Sequence, residues 1–180
     1  MEQNYYTKGE QEFLLKIART ALEHQLRRGE KFEPQTVNQK LWEKRGCFVT
    51  LRRQGELRGC IGLLEPVEAL LLAIRDNTLA AARDPRFTPV EEFELDDLKI
   101  EVSILTPLEK ISLADIKAGD GIAIRRGINS ATFLPQVWAE LPKKDDFLAA
   151  LCQKAGLDYR QCQDEEMEFF RYQAIIFFEN

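Results

Sequence analysis

Two strand-like runs, "GCFVTLRR" and "ELRGCIGLL", separated only by Gln54-Gly55, constrain the fold more than any other part of the chain. β-Branched and apolar residues recur in both runs, and a two-residue connection ending in glycine is a hairpin signal. With Gln54-Gly55 as the turn, Arg53 opposes Glu56, Leu51 opposes Arg58, Val49 opposes Cys60 and Cys47 opposes Gly62. Side chains alternate across a strand, so this register puts Arg58, Cys60 and Gly62 on one face with Leu51, Val49 and Cys47. Leu57, Gly59 and Ile61 fall on the other face with Phe48, Thr50 and Arg52. Both faces carry apolar groups, and the hairpin is expected to be covered on both sides.

Gly59 and Gly62 weaken a strand unless something needs their space. A closely packed helix over Val67 to Arg83 would need it, and so would a ligand or partner backbone approaching Cys60. Arg58, half-buried in this register, requires a carboxylate, a carbonyl or a ligand anion. A cation beside Cys60 would also enrich its thiolate. A cysteine hydrolase or acyltransferase needs a general base as well, and the one histidine, His24, belongs to a different element. "GCIG" is no nucleotide loop, because it lacks the Gly-x-Gly-x-x-Gly spacing and opens no helix.

Around the hairpin, apolar residues at three-and-four spacing (Phe13, Leu14, Ile17, Ala18, Ala21, Leu22) predict a helix from Gly9 to Arg28, ended by Gly29. His24 faces away from that stripe. A short helix is expected over Val37 to Glu43, anchored by Trp42. "VEALLLAIRDNTLAAARD" after Pro66 predicts a buried helix stopped by Pro85. "LKIEVSIL" is a strand ended by Thr106-Pro107. "GIAIRRG" and "ATFLPQVW" form a second hairpin, with Pro135 at an edge or an end. Asp145 or Asp146 caps a helix running to Lys154, with Gly156 as its stop. "EFFRYQAIIFFE" reads as one closing strand able to pair across a dimer at an edge. Strands joined by hairpins and interspersed with helices give an α+β fold with a mixed, largely antiparallel sheet flanked by helices.

A length of 180 residues fits one compact domain, or two small lobes sharing a core. A net charge of −5 argues against a general polyanion binder, although Arg27-Arg28, Arg52-Arg53, Arg125-Arg126 and Lys143-Lys144 could contribute to a local basic groove. The N-terminus lacks the apolar run of a signal peptide, and the longest apolar run, Ala69 to Ile74, is too short to span a bilayer. A cytoplasmic protein is expected, with Cys47, Cys60, Cys152 and Cys162 as thiols. Cys47 lies diagonal to Cys60 in the expected register, so a disulfide between them is conceivable under oxidation. The cysteine spacing contains no C-x-x-C pair, and no metal site is expected.

"GCFVTLRRQGELRGCIG" resembles the signature of the AMMECR domain family, whose bacterial and archaeal members are called AmmeMemoRadiSam system protein A. The resemblance continues through "ARDPRFTPVEEFELDDLKIEVSIL", "GDGIAIRRG…FLPQVW" and "FLAALCQKAGL", in the family's order and over Gly9 to Phe178. It departs at Leu63, where threonine is common in the family, and in "RRGINSATF", where relatives carry more glycine. The resemblance implies a single AMMECR-type domain over residues 1–180. It also implies two unequal lobes with a cleft between them, the "LRGCIG" strand lying near that cleft. By genomic association it further implies a Memo-type protein and a radical SAM protein as partners. It supplies neither a reaction nor a cofactor.

Three functions follow as expectations. The first is an accessory binding module acting with those partners through Arg58, Gly59, Cys60, Gly62, Asp84, Arg86, Phe87 and Gln136. The second is a thiol-dependent enzyme with Cys60 as nucleophile or redox group and Arg58 as anion clamp or thiolate stabiliser. The third, which the net charge disfavours, is nucleic-acid binding through Phe48, Phe87 and Phe133 with the arginine pairs. Asp84-Pro85-Arg86-Phe87 also has a purely structural reading: Pro85 ends the helix, Asp84 bonds freed turn amides and Phe87 plugs the core. Likewise, Pro135 can simply end a strand while Gln136 satisfies backbone groups.

Overall fold

The computed structural model describes residues 5–164 and 166–179. The chain divides into two compact units: Met1–Leu105 with Ile175–Asn180, and Thr106–Ala174. The fold is α+β, and its strands divide between two four-stranded antiparallel sheets.

The first unit begins with α1 (Lys8–Arg28), set by a Thr7–Glu10 capping box and ended by Gly29 in the left-handed region. The expected short helix is a 3₁₀ turn over Gln39–Trp42. The first hairpin is β1 (Cys47–Arg53) and β2 (Glu56–Leu63), turning on Gln54 and Gly55, both with positive φ. Helix α2 (Leu70–Ala81) starts later than Pro66 suggests, because Ala69 is bridged to Lys44 in extended geometry. Strand β3 (Leu98–Leu105) pairs with β1, and the sheet order is β2-β1-β3-β8, with β8 at Ala174–Phe178. Cys47, Val49 and Leu51 join Leu98, Ile100, Val102 and Ile104 in one buried cluster with the apolar stripes of α1 and α2. One face of this sheet is therefore the core face.

The second unit has the order β4-β7-β5-β6, from β4 (Glu109–Ile111), β5 (Gly121–Arg126), β6 (Asn129–Phe133) and β7 (Glu168–Tyr172). Strand β6 is an edge and stops before Pro135, which opens a 3₁₀ turn over Pro135–Ala139. Helix α3 (Lys144–Lys154) is preceded by Lys143; Asp145 and Asp146 lie inside its first turn rather than at the cap, where they favour the helix dipole. Trp138 stacks on Phe147 at 3.9 Å in a core separate from that of the first unit.

Two expectations change. "EFFRYQAIIFFE" is not one strand: it breaks at Gln173 into β7 and β8, which belong to different sheets. The cysteines are not four thiols, because Cys152 and Cys162 form a disulfide, leaving Cys47 and Cys60 free. Among the described residues, no helix is long and apolar enough to cross a membrane.

Candidate functional site

The expected hairpin register holds only for its first two pairs. Arg53 opposes Glu56 and Arg52 opposes Leu57; the register then shifts, so that Leu51 opposes Gly59 and Thr50 opposes Cys60. Arg58 is the extra residue of a β-bulge. Every later side chain of β2 is consequently on the opposite face from the one expected. Gly59 and Ile61 share the core face with Leu51 and Val49, whereas Cys60 and Gly62 share the other face with Thr50 and Phe48. Cys47 and Cys60 are thus on opposite faces and cannot be joined. Cys47 is 1% exposed and packs beside Asn77, and burial pushes its thiol up to about 12.

Both glycines have local explanations. A Cβ at Gly59 would overlap the carbonyl oxygen of Ala81, at the end of α2. A Cβ at Gly62 would overlap the backbone of β1 and the Phe48 ring. The space around Cys60 is needed by the protein's own helix and strand.

Arg58 is turned inward to a partner of its own. Its Nε and Nη2 grip Glu94 Oε1 and Oε2 at 2.9 Å each, and its Nη1 and Nη2 reach the Thr88 and Pro89 carbonyls at 2.8 and 3.2 Å. This fork, against burial, holds the Glu94 carboxyl below its ordinary value. Four of the five donors of Arg58 are thereby occupied, which leaves little of it for a thiolate or a ligand anion.

The arginine beside Cys60 is Arg86. Cys60 lies on an edge strand, and its N–H and C=O point away from β1, since the N–H donates to Asp84 Oδ2 at 2.9 Å. Arg86 Nη2 donates to the Cys60 carbonyl at 3.2 Å and to Asp84 Oδ2 at 2.6 Å, while Arg86 Nε donates to Asp84 Oδ1 at 3.0 Å. The Arg86 amide donates to Asp84 Oδ1 at 3.1 Å, the turn bond expected of Asp84. Asp84 is 2% exposed, and the Arg86 guanidinium, followed by the Cys60 and Arg86 amides, holds its carboxyl well below the usual carboxylate range. "LRGCIG" and "DPRF" are therefore one structural device: the Asp84–Arg86 pair caps the strand edge at Cys60.

This pairing of backbone groups makes Thr50–Cys60 a non-hydrogen-bonded cross-strand pair, the type with the closest side chains. Thr50 Oγ1 donates to Cys60 Sγ at 3.2 Å. Thr50 is a site residue that sequence reasoning missed, because the bulge that brings it opposite Cys60 has no marker in the sequence. The Arg86 side chain is 57% exposed, and its outer edge, Nη1, has no partner among the described residues. Phe87 does not plug the core; it is half-buried, with the Arg86 guanidinium 5.6 Å from its ring. Gln136 is exposed and belongs to the second unit.

Other chemistries find less support. Arg52 and Arg53 pair with Glu101, Glu94 and Asp97, and Arg125 and Arg126 pair with Glu168, Asp164 and Glu166, so these arginine pairs make no basic stripe. Among the described residues, no group of three or more histidine, cysteine or acidic side chains is arranged to hold a metal. The second unit carries a polar depression of about 480 Å³ lined by Glu109, Lys110, Ser112, Asp115, Lys117 and Arg171. Its charges are partly spent in the pairs Arg171–Glu109 and Lys110–Glu168.

Residues 15–177 match the AMMECR1 family model. A Thermococcus onnurineus protein is 45% identical, with 92% of this chain and 88% of that protein aligned. A Methanothermobacter thermautotrophicus protein is 43% identical, with 93% of each chain covered. The crystal structure of the uncharacterized protein PH0010 from Pyrococcus horikoshii superposes with a TM-score of 0.90 at 39% identity, covering 98% of this chain and 94% of that one.

Proposed function

This chain belongs to the AMMECR1 family, and on that premise we propose that it is a binding module whose contact surface is the sheet face carrying Cys60, edged by Arg86. Memo-like and radical SAM proteins, the partners implied by the family's genomic association, are the proposed occupants. One observation carries the reading. The Asp84–Arg86 pair locks both backbone groups of Cys60 and leaves a partly exposed thiol and an unspent guanidinium edge beside each other. A fixed arginine with an aromatic neighbour is the kind of group that anchors interfaces. Arg86 takes the role of anion contact, and Arg58 that of internal support.

A thiol-dependent reaction at Cys60 is the second reading, favoured by the hydrogen bond from Thr50 to its sulfur. It places Arg86, not Arg58, as the nearby cation. It still needs a general base, and among the described residues only the Thr50 hydroxyl is bonded to that sulfur.

The test is co-purification of the tagged protein with each partner. Both partners are expected in the wild-type eluate, and Arg86→Ala is expected to weaken capture about tenfold or more. Absence of both partners at micromolar concentrations overturns the binding reading. Capture unaffected by Arg86→Ala moves the contact surface elsewhere.

A further inference from the structure

Cys152 is on α3 and Cys162 on the 3₁₀ turn Gln161–Gln163, and both are buried in the core of the second unit with Phe147, Leu151, Ala155 and Met167. Residues 155–164, between them and beyond, contain no strand and no helix longer than that single turn. The other ties of this segment to its unit are sparse. The Ala155, Gly156 and Leu157 amides donate to the Leu151, Gln153 and Cys152 carbonyls of α3, and Asn129 donates to the Ala155 carbonyl at 2.8 Å. Past Leu157 the ties are Tyr159 donating to Asp145 at 3.1 Å and Arg126 pairing with Asp164 at 2.7 Å. The last two are exposed polar contacts of the kind that contribute little. Leu157 and Tyr159 add partly buried apolar area. The disulfide is the one covalent fastening of this segment to α3 other than the chain itself.

We propose that the Cys152–Cys162 bond makes the second unit redox-responsive: oxidised, it pins residues 155–164 to the core; reduced, it releases them and loosens that unit while the first unit stays folded. The reductant is a dithiol. One of its thiolates attacks a sulfur of the pair to form a mixed disulfide, and its second thiolate displaces the protein sulfur. Two electrons and two protons pass to Cys152 and Cys162, and the reductant leaves as a disulfide. Because both sulfurs are buried, attack follows local opening of the 155–164 segment, so exchange is slow in the native protein. The selectivity follows from placement. Both cysteines belong to the second unit, whereas Cys47 and Cys60 of the first are unbridged. Closing a loop of sequence separation 10 shifts the folded-to-unfolded ratio by about 100-fold on the chain-entropy account.

Each unit contains one tryptophan, Trp42 in the first and Trp138, stacked on Phe147, in the second. In Trp42→Phe protein, urea unfolding followed by Trp138 fluorescence is compared with and without dithiothreitol, and Trp138→Phe protein reports the first unit in the same way. In the unsubstituted protein, thiols are counted after denaturation without reductant, and limited proteolysis maps the reduced and oxidised forms. The expected results are two thiols before reduction and four after. Reduction should lower the Trp138 stability by about 100-fold in equilibrium constant, leave the Trp42 transition unmoved, and expose a new cleavage site within residues 155–164. Four thiols without reductant, a Trp138 transition indifferent to dithiothreitol, or equal shifts at both tryptophans would overturn the proposal. The thiol count and cleavage pattern decide it even if a tryptophan variant fails to fold.

Discussion

Asp84 accepts the amide hydrogen of Cys60 at 2.9 Å across 24 positions of sequence, and the same carboxylate holds the arginine that bonds the Cys60 carbonyl. Asp84→Asn removes the charge and one of the matched acceptors from a buried position, at a cost of about 2–4 kcal/mol. The effect also depends on pH. The Asp84 carboxyl titrates lower in the folded chain than in the unfolded one, so the unfolded state takes up the proton first. Its stabilising contribution is complete above about pH 5 and declines as the solution becomes more acidic. Urea midpoints measured from neutral to acid pH should show a steeper fall for wild type than for Asp84→Asn; parallel curves would refute this.

Gly59 marks where α2 meets the hairpin. Gly59→Ala drives a methyl group into the Ala81 carbonyl, a backbone atom that no rotamer change can move away. A loss of about 2–3 kcal/mol is expected in thermal or chemical unfolding of the first unit. A neutral Gly59→Ala would mean that α2 is set farther from β2 than described.

The two arginines of the motifs separate by what they support. Arg58→Ala leaves the buried Glu94 carboxylate with the Glu91 amide and a longer bond from Arg53 but without its two-pronged guanidinium partner, so a loss of about 3 kcal/mol is expected. Arg86→Ala leaves Asp84 with its two amide donors, and because the guanidinium is largely exposed water can take its place at the carboxylate, so its cost should be smaller, about 1–2 kcal/mol. Denaturation of the two variants side by side checks the order; Arg86→Ala as the more damaging change would contradict it.

The free thiols differ in the same decisive way. Cys47 is buried on the core face, with its titration pushed up by burial, whereas Cys60 is partly exposed on the other. Iodoacetamide at neutral pH should label Cys60 in the folded protein and Cys47 only after unfolding. Peptide mapping showing equal labelling of both would disprove the face assignment.

Much of the fold was legible. The apolar stripe and Gly29 mark α1, Gln54-Gly55 marks the turn, and Pro135 marks the end of β6, since each reflects local chemistry. The site was legible as a set of motifs but not as an arrangement. Arg58 has no property that distinguishes a bulged residue from a paired one, yet its extra position turns Cys60 from the core face to the other face and gives it Thr50 as neighbour. The division of "EFFRYQAIIFFE" at Gln173 was equally hidden, because β7 and β8 are each ordinary strands and only their partners in different sheets separate them. The disulfide was unreadable for a general reason: four cysteines allow several pairings, and only the fold selects one.

The central claim is that the Cys60 face is the surface a partner covers. The alkylation rate of Cys60, measured in the free protein and in mixtures with the Memo-like and radical SAM proteins, tests it directly, with Cys47 labelling as the control for unfolding. The account predicts at least a roughly tenfold slower rate in the complex, with protection lost in Arg86→Ala. An unchanged Cys60 rate in a mixture where the partner is demonstrably bound would contradict it.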